Sequence, residues 1–448
     1  MSPMKFRPGL MVLLLVVLFV SQAVAAPLAQ REVWPNGLRL LVAERPSIPI
    51  VTLLVYVRAG AAFDPADRPG LANLTAELLT RGTQKRTGSE IDEAIEFVGG
   101  SLEADASRDG VTVSLSVLKR DLGLGLDLLA DVLLNPTFPS DELQRKVREL
   151  QGVIRRQEQD PESVAGRAMA PLLFPGHPYG HPVIGSADSL KTIRRDEVEA
   201  FYRGHYRPDG SVIAVVGDVK LDEIRQELRR RLGGWAKPSG PLTLPREAPL
   251  NSPIKTDSIQ RDLTQTTMIL GRPAIRRNHP DYYVLQVTSY ILGGGSASRL
   301  YRHLREQKGL VYFVGSYLTP GKYGGSFVVN LQTRNEGVQE SLSVIRQELT
   351  RLSREPVSGE ELALAKAYLT GSFPLRMDTN RKVTGLLLTI EEEQLGLDYP
   401  ETFKKRIESV TAADVQRAAR QYLDPAAMSL VVVGDLKKSG FSPEKPSP

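Results

Sequence analysis

The 448-residue chain contains no cysteine. That one absence excludes a disulfide scaffold, a thiol nucleophile, an iron–sulfur centre and a Cys-ligated zinc. Histidine is scarce too, with five residues in all, so a metal would have to be held by His, Asp or Glu drawn from a small stock. A net excess of charge of either sign is nearly missing. Lys and Arg exceed Asp and Glu by 57 − 52 = 5, and by three once the first 25 residues are set aside, because Lys5 and Arg7 leave without an acidic companion. An excess that thin gives no electrostatic footprint for nucleic acid. After the first segment no apolar run approaches the roughly 20 residues of a membrane-spanning helix. What remains is a composition of 41% hydrophobic and 24% charged residues, which is globular, on a chain long enough for two domains or more.

The first segment reads as a targeting signal. Lys5 and Arg7 precede the apolar run 10–20, and Ser21-Gln22-Ala23-Val24-Ala25 sets small residues where a signal peptidase cuts. The expectation is a signal peptide over 1–25, removed after Ala25, leaving a periplasmic or otherwise exported protein with no stable membrane span. No Cys follows the apolar run, so a lipoprotein-type anchor is excluded, and a cysteine-free chain suits an oxidising compartment.

The chain repeats itself. Residues 195–219, RDEVEAFYRGHYRPDGSVIAVVGDV, and residues 412–436, AADVQRAARQYLDPAAMSLVVVGDL, share a helical period, a Tyr, a Pro-containing turn and a β-branched strand closed by Gly-Asp. Val198 falls on Val415 and Gly217-Asp218 on Gly434-Asp435, at one constant offset close to half the mature chain. The same offset lays the strand at Val51 over the strand 268–272. The predicted organisation is a signal peptide (1–25), an N-terminal domain (26–236), a Pro-rich linker (237–262), a C-terminal domain (263–438) and a tail (439–448). Within each half, strands interrupted by helices predict an α+β fold: two homologous domains, each a mainly antiparallel sheet packed with helices, closing as a clamshell.

Residues 69–83 read PGLANLTAELLTRGT, a helix whose Leu71, Leu74 and Leu78 form a buried stripe while Asn73 and Glu77 lie four apart on another face. Gly152-Val153-Ile154 leads to Asp160-Pro161. Further on, Gly293-Gly294-Gly295-Ser296-Ala297-Ser298-Arg299-Leu300 opens a helix, and Leu304-Arg305-Glu306-Gln307-Lys308-Gly309-Leu310-Val311-Tyr312 ends it and enters a strand. No Gly-Lys-Ser/Thr follows the glycines, which excludes a phosphate loop. His177 and His181 stand four apart in HPYGHP, where two prolines and a glycine oppose the helix that would make them joint ligands.

These stretches resemble the pitrilysin/insulinase family of inverted-motif zinc peptidases, whose active-site helix reads G-L-A-H-x-x-E-H-x-L-x-x-G-T. The frame is kept in Gly70-Leu71-Ala72 and Gly82-Thr83. The motif is not. Asn73 stands at the first His ligand, Ala76 at the water-activating Glu and Glu77 at the second His, while Val153 takes the place of the Glu ligand of the later helix. A catalytic zinc needs about three protein ligands and a water, so the resemblance implies that this chain binds no metal. It also implies that Arg305 and Tyr312 reach between the halves to hold a substrate carbonyl and stabilise the oxyanion. It further implies that an extended peptide adds to the strand Leu102-Glu103-Ala104-Asp105, although Glu103 stands where the family usually has Asn.

Some members of that family are heterodimers with one zinc-bearing and one metal-free subunit. The resemblance thus implies an exported, zinc-less subunit that completes the site of an H-x-x-E-H partner acting on unfolded peptides, zinc residing in the partner. Two alternatives stay open: a non-catalytic peptide-binding or scaffold protein built on the same clamshell, and a stand-alone peptidase with a relocated metal.

Overall fold

The computed structural model describes residues 27–442, so the predicted signal peptide lies outside the described residues. In the first half the elements run β1 (Gln30–Val33), β2 (Arg39–Glu44), β3 (Ile50–Val57), α1 (Leu71–Leu78) and α2 (Gly88–Phe97). They continue with β4 (Ser101–Ala106), β5 (Val111–Leu118), α3 (Leu122–Leu134), α4 (Ser140–Gln157) and α5 (Pro161–Leu173). The half closes with α6 (Ala187–Thr192), α7 (Arg195–His205), β6 (Ser211–Gly217) and α8 (Leu221–Leu232). The second half opens with β7 (Thr256–Gln260), β8 (Gln265–Ala274), α9 (Tyr282–Gly293) and a π-helix (Tyr301–Gln307). It continues with β9 (Val311–Pro320), β10 (Gly325–Arg334), α10 (Val338–Arg354), α11 (Gly359–Gly371) and α12 (Asn380–Glu392). Last come α13 (Tyr399–Ser409), α14 (Ala412–Tyr422), β11 (Ser429–Gly434) and α15 (Leu436–Ser439).

Local chemistry sets many of these limits. Thr87 and Glu90 form a capping box that starts α2, Asp160 caps α5 with Pro161 in its first turn, and Ser358 with Glu361 boxes the start of α11. The strands of the repeat, β6 and β11, are apolar runs buried along their whole length, the pattern of a strand covered on both faces.

The first sheet has the order β1-β2-β6-β3-β5-β4 and the second β7-β11-β8-β10-β9. Among the described residues only β2–β6 and β7–β11 pair in parallel, so both sheets are mainly antiparallel. The offset of the sequence repeat is kept in three dimensions. It carries α7 onto α14, the strand β2 onto β7, and β6 onto β11 with the same neighbours. It also explains the repeated glycines. Gly217 has φ +150° and a Cβ there would sit 2.2 Å from the Ile50 carbonyl oxygen; at Gly434 it would sit 2.3 Å from Thr266 Oγ1. Each glycine lets the central strand lie against its antiparallel neighbour.

Helices of each half cover the inner face of its own sheet, giving two large apolar cores. The outer faces are covered by exchange. The second half's α12 lays Val383, Leu387 and Leu388 on Leu41, Leu54, Ala214 and Val216 of the first sheet. The first half's α5 lays Ala165, Met169 and Leu173 on Ile269, Val431 and Val433 of the second. The clamshell is therefore fastened by two helices that cross between its halves.

Two boundaries move. Residues 256–260, assigned to the linker by their polar sequence TDSIQ, form β7 and pair in parallel with β11; the largely exposed edge strand carries no apolar alternation to betray it. Phe441, assigned to the tail, is buried in the second core.

Candidate functional site

α1 begins where Asp64 accepts hydrogen bonds from the Gly70 and Ala72 amides at 2.8 and 2.7 Å. Burial pushes the Asp64 carboxyl up to about 7 against the pull of those two amides. Along the helix, Asn73 is buried and its Nδ2 donates to Glu77 Oε1 at 3.2 Å. On the neighbouring α4, Lys146 brings its ammonium to 3.2 Å from Glu77 Oε2 and 2.8 Å from Glu149. Ala76 is fully buried, and Val153 sits half-buried on α4. The donor set is thus one carboxylate and one amide, tied to each other and to a fixed cation. That set does not fit zinc, which wants about three ligands in a tetrahedron. Among the described residues no other group of three His, Asp or Glu side chains converges.

The strand Leu102–Asp105 is part of β4, the edge strand of the first sheet. Leu102 and Ala104 point into the core, while Glu103 and Asp105 are exposed. Glu103 is 57% exposed, with Arg381 Nη2 3.9 Å away. Of the four residues, then, two could meet a peptide only through their backbone. His177 and His181 lie in a loop with one 3-10 turn. His177 Nε2 faces the Arg246 carbonyl at 2.9 Å, and its Nδ1 accepts from the Tyr179 amide.

In the second half, Arg305 and Tyr312 are brought together by two departures from regular structure. Arg305 lies in the π-helix Tyr301–Gln307, whose wider turn closes with Lys308 N donating to His303 O at 3.2 Å. Tyr312 lies at a bulge: Gln332 faces Phe313 and Thr333 faces Val311, which leaves Tyr312 out of the ladder. Tyr312 is 77% exposed, and the Arg305 guanidinium stacks over its ring, 4.7 Å from the centroid. Arg305 Nη1 also donates to the Val311 carbonyl at 3.1 Å. An exposed phenol and a half-buried guanidinium thus share one spot at the start of β9.

The helix carrying Arg305 is anchored from behind. Arg299, 6% exposed in its side chain, donates Nε and Nη2 to Glu361 at 2.7 and 3.0 Å. His303 Nδ1 lies 3.0 Å from the buried Glu348. Burial opposes the Glu361 charge, but hydrogen bonds from Arg299 and Ser358 hold its carboxyl down at about 2.

Several residues that bear on the site carry no sequence signal of their own. Lys146 is one charge among many on an amphipathic helix. Glu391 and Glu392 end α12 and take Arg31 (2.8 Å), Arg39 (2.5 Å) and Arg58 (3.1 Å) from the first half. Tyr179 donates to Asp109, which also accepts from the Lys322 amide at 3.0 Å and so ties the halves again. The acidic run 391–393 was the one available hint.

Comparisons with known proteins follow this geometry. Residues 39–187 match the family described as "Insulinase (Peptidase family M16)", and residues 192–369 match "Peptidase M16 inactive domain". An uncharacterized zinc protease of Streptomyces coelicolor is 28% identical over 416 residues, covering 91% of this chain and 90% of that one. One from Mycobacterium leprae is 29% identical over 396 residues, covering 88% and 89%. Among solved structures, the peptidase M16 inactive domain from Pseudomonas fluorescens superposes with a TM-score of 0.85 at 28% identity, covering 93% of this chain and all of that one. A protease from Helicobacter pylori has the same fold, with a TM-score of 0.84 at 19% identity over 91% and 99% of the two chains.

Proposed function

The chain belongs to the insulinase family of peptidases, peptidase family M16, and from that premise we propose that it is the zinc-less subunit of an exported heterodimeric peptidase. Its partner is a family member with an intact H-x-x-E-H helix, which carries the zinc, and the substrate is an unfolded peptide. The observation that carries the reading is the contrast within one chain: Arg305 stands stacked over an exposed Tyr312, whereas Asn73, Glu77 and Lys146 have knitted the metal position shut.

The chemistry of this chain's residues is electrostatic. A guanidinium and a phenol, pre-set by the π-helix and the bulge, donate hydrogen bonds to a peptide carbonyl and hold it more strongly as negative charge develops on its oxygen. To do so Arg305 exchanges its bond to the Val311 carbonyl for one to the substrate. No group here activates water, since Ala76 occupies the position of the base. Export rests on Lys5, Arg7 and the apolar run 10–20.

The test is peptidase activity of the mature chain on an unfolded peptide library, alone and with a co-expressed H-x-x-E-H relative, with zinc measured in both samples. About one zinc per pair, activity only in the pair, and a loss of roughly 10²–10³ in kcat with Arg305→Ala are expected. Full activity of the Arg305→Ala pair would move the weight to a peptide-binding or scaffold role, and zinc-dependent cleavage by the chain alone would overturn the reading.

A further inference from the structure

Besides the exchanged helices, the halves are fastened at a second place. The tip of the β4–β5 hairpin (107–110) and the tip of the β9–β10 hairpin (321–324) meet beside the loop that follows α5. Asp109 on the first tip accepts from the Lys322 amide on the second at 3.0 Å. The buried Tyr179 joins both, since its hydroxyl donates to Asp109 and accepts from the Tyr323 amide at 3.1 Å. The linker crosses at the same point. Its Ala248 amide donates to the Tyr323 carbonyl at 2.6 Å, and Arg246 Nη2 donates to the Gly176 carbonyl at 2.7 Å.

His177 holds Tyr179 in place. It is buried, its Nδ1 accepts from the Tyr179 amide at 3.1 Å, and its Nε2 faces the Arg246 carbonyl at 2.9 Å. An amide N–H only donates and a carbonyl only accepts, so the ring carries one proton, on Nε2, and is neutral. A second proton, on Nδ1, would set two N–H groups against each other, and the turn that carries Tyr179 would have to give way. Rings enclose the imidazole, Phe174 at 6.1 Å and Tyr179 at 5.0 Å between centroids. Of the charged groups, Arg246 on the linker opposes a second proton and Asp109 on the hairpin favours it. Arg108 lies over the Tyr179 ring at 5.5 Å and, with His177, acts on His181 in the same sense, while the Lys322 ammonium turns away to Glu392. Burial pushes the His177 imidazole below its ordinary 6.5, despite the bond to the Arg246 carbonyl. Burial does the same to His181 and to His205, the latter separated from Tyr323 by the ring of Phe63.

We propose that this joint is an acid-sensitive latch: with His177 neutral it clasps the two hairpin tips, and a second proton on the ring frees Tyr179 and lets the tips part. The direction follows from the surroundings of the ring. In the open joint the imidazole meets water and takes up a proton near its ordinary 6.5, whereas the closed joint resists that proton. The open form therefore binds more protons in acid, so closure is complete above about pH 6.5 and weakens as pH falls below it. The opening is local, because α5 and α12 still bind the halves to each other. Its reach is wider. β4 runs into one tip, and β9, with Tyr312 at its start, runs into the other, so the latch sets the spacing between the ends of these two strands. The latch uses neither Arg305 nor Tyr312 and stands apart from the reading of shared catalysis.

The test is hydrogen exchange of the mature chain read by mass spectrometry, corrected for the intrinsic pH dependence of exchange, beside an NMR titration of the histidine rings. Between about pH 7.5 and about pH 5, protection of segments 175–182 and 321–325 should fall about tenfold. The midpoint should coincide with the titration of His177, while β6 and β11 keep their protection. His177→Gln, whose side-chain amide donates and accepts without titrating, should remove the pH dependence, whether it leaves the joint shut or ajar. Tyr179→Phe should expose 321–325 at neutral pH by a similar factor and leave the pH response of 175–182 in place. Protection that ignores pH in the wild type, a transition that follows His181 or His205, or a transition that survives His177→Gln would each overturn the latch. So would a Tyr179→Phe chain whose 321–325 segment stays as protected as in the wild type.

Discussion

In the first half, α1 and α4 meet at Asn73, Glu77 and Lys146, which satisfy one another and leave little to offer a ligand. At the corresponding place in the second half, α9 and α11 meet at the stacked rings of Tyr290 and Tyr368, and the π-helix and the start of β9 bring a half-buried Arg305 over a Tyr312 open to solvent. The same architecture has closed one site with a lysine and kept the other open with aromatics and a guanidinium. Function in this chain follows the side chains at corresponding positions and not the fold that both halves share.

The sharpest way to break the comparison is to reopen the closed site. Asn73→His, Ala76→Glu, Glu77→His and Val153→Glu together restore the ligands and the base. With Lys146→Ala added, the variant should hold about one zinc per chain by elemental analysis; with Lys146 retained, the ammonium should keep occupancy well below that. Equal zinc in both would show that the lysine is not the obstacle.

The exchanged helices differ as well. α12 is clasped by charge, whereas on α5 the polar tie to the other half, among the described residues, is the hydrogen bond from Asn330 Nδ2 to Glu162 at 2.7 Å. Glu392→Ala leaves Arg58 without its buried partner and Arg39 with Glu391 alone, at 3.4 Å, and should lower the unfolding free energy by about 3 kcal/mol in denaturant titrations. Asn330→Ala should cost about 1 kcal/mol or less. Comparable losses would mean that the apolar contacts of Val383 and Leu387 fasten α12 and the charges add nothing.

Within the open site, Tyr312→Phe keeps the ring under Arg305 and removes one donor. The assembled peptidase should lose about tenfold in kcat with KM little changed, less than the Arg305→Ala loss. An equal loss would assign the stacked geometry, and not the phenol, to the chemistry.

The smallest effect is a pH dependence. The Glu361 carboxyl is held at about 2 in the folded chain against an ordinary 4.5, so its contribution is complete above about pH 4.5 and is lost as pH falls through 2. Glu361→Gln should flatten that acid segment of the stability curve; an unchanged slope would show that the Arg299 fork adds nothing to stability.

Much of this molecule was legible in its sequence. The helix expected within 69–83 forms as α1 with Leu71, Leu74 and Leu78 buried, and the repeat predicted the second half's central strand from the first. The resemblance pointed to the degenerate positions residue by residue. What stayed hidden was non-local. α5 and α12 look like ordinary helices, because nothing in a helix says that its partner sheet lies in the other half of the chain. Lys146 could not be matched to Glu77 without knowing that α4 crosses α1. The bulge that lifts Tyr312 out of the ladder arises from how β9 and β10 keep register, which no window of residues contains. β7 was lost because its polar residues are suited to an exposed edge.

The crossing of α5 and α12 has one more consequence. A chain of half this length, carrying one sheet and one such helix, would have a bare sheet face and a helix with nowhere to dock. Two copies would cure both defects by trading helices, as a swapped dimer does. The full-length protein is in this sense a swapped dimer written on one strand, and its linker is a tether more than a hinge. Cutting the loop near residue 240 should leave two fragments that neither separate in native buffer nor fold when made apart, and that regain the fold when refolded together.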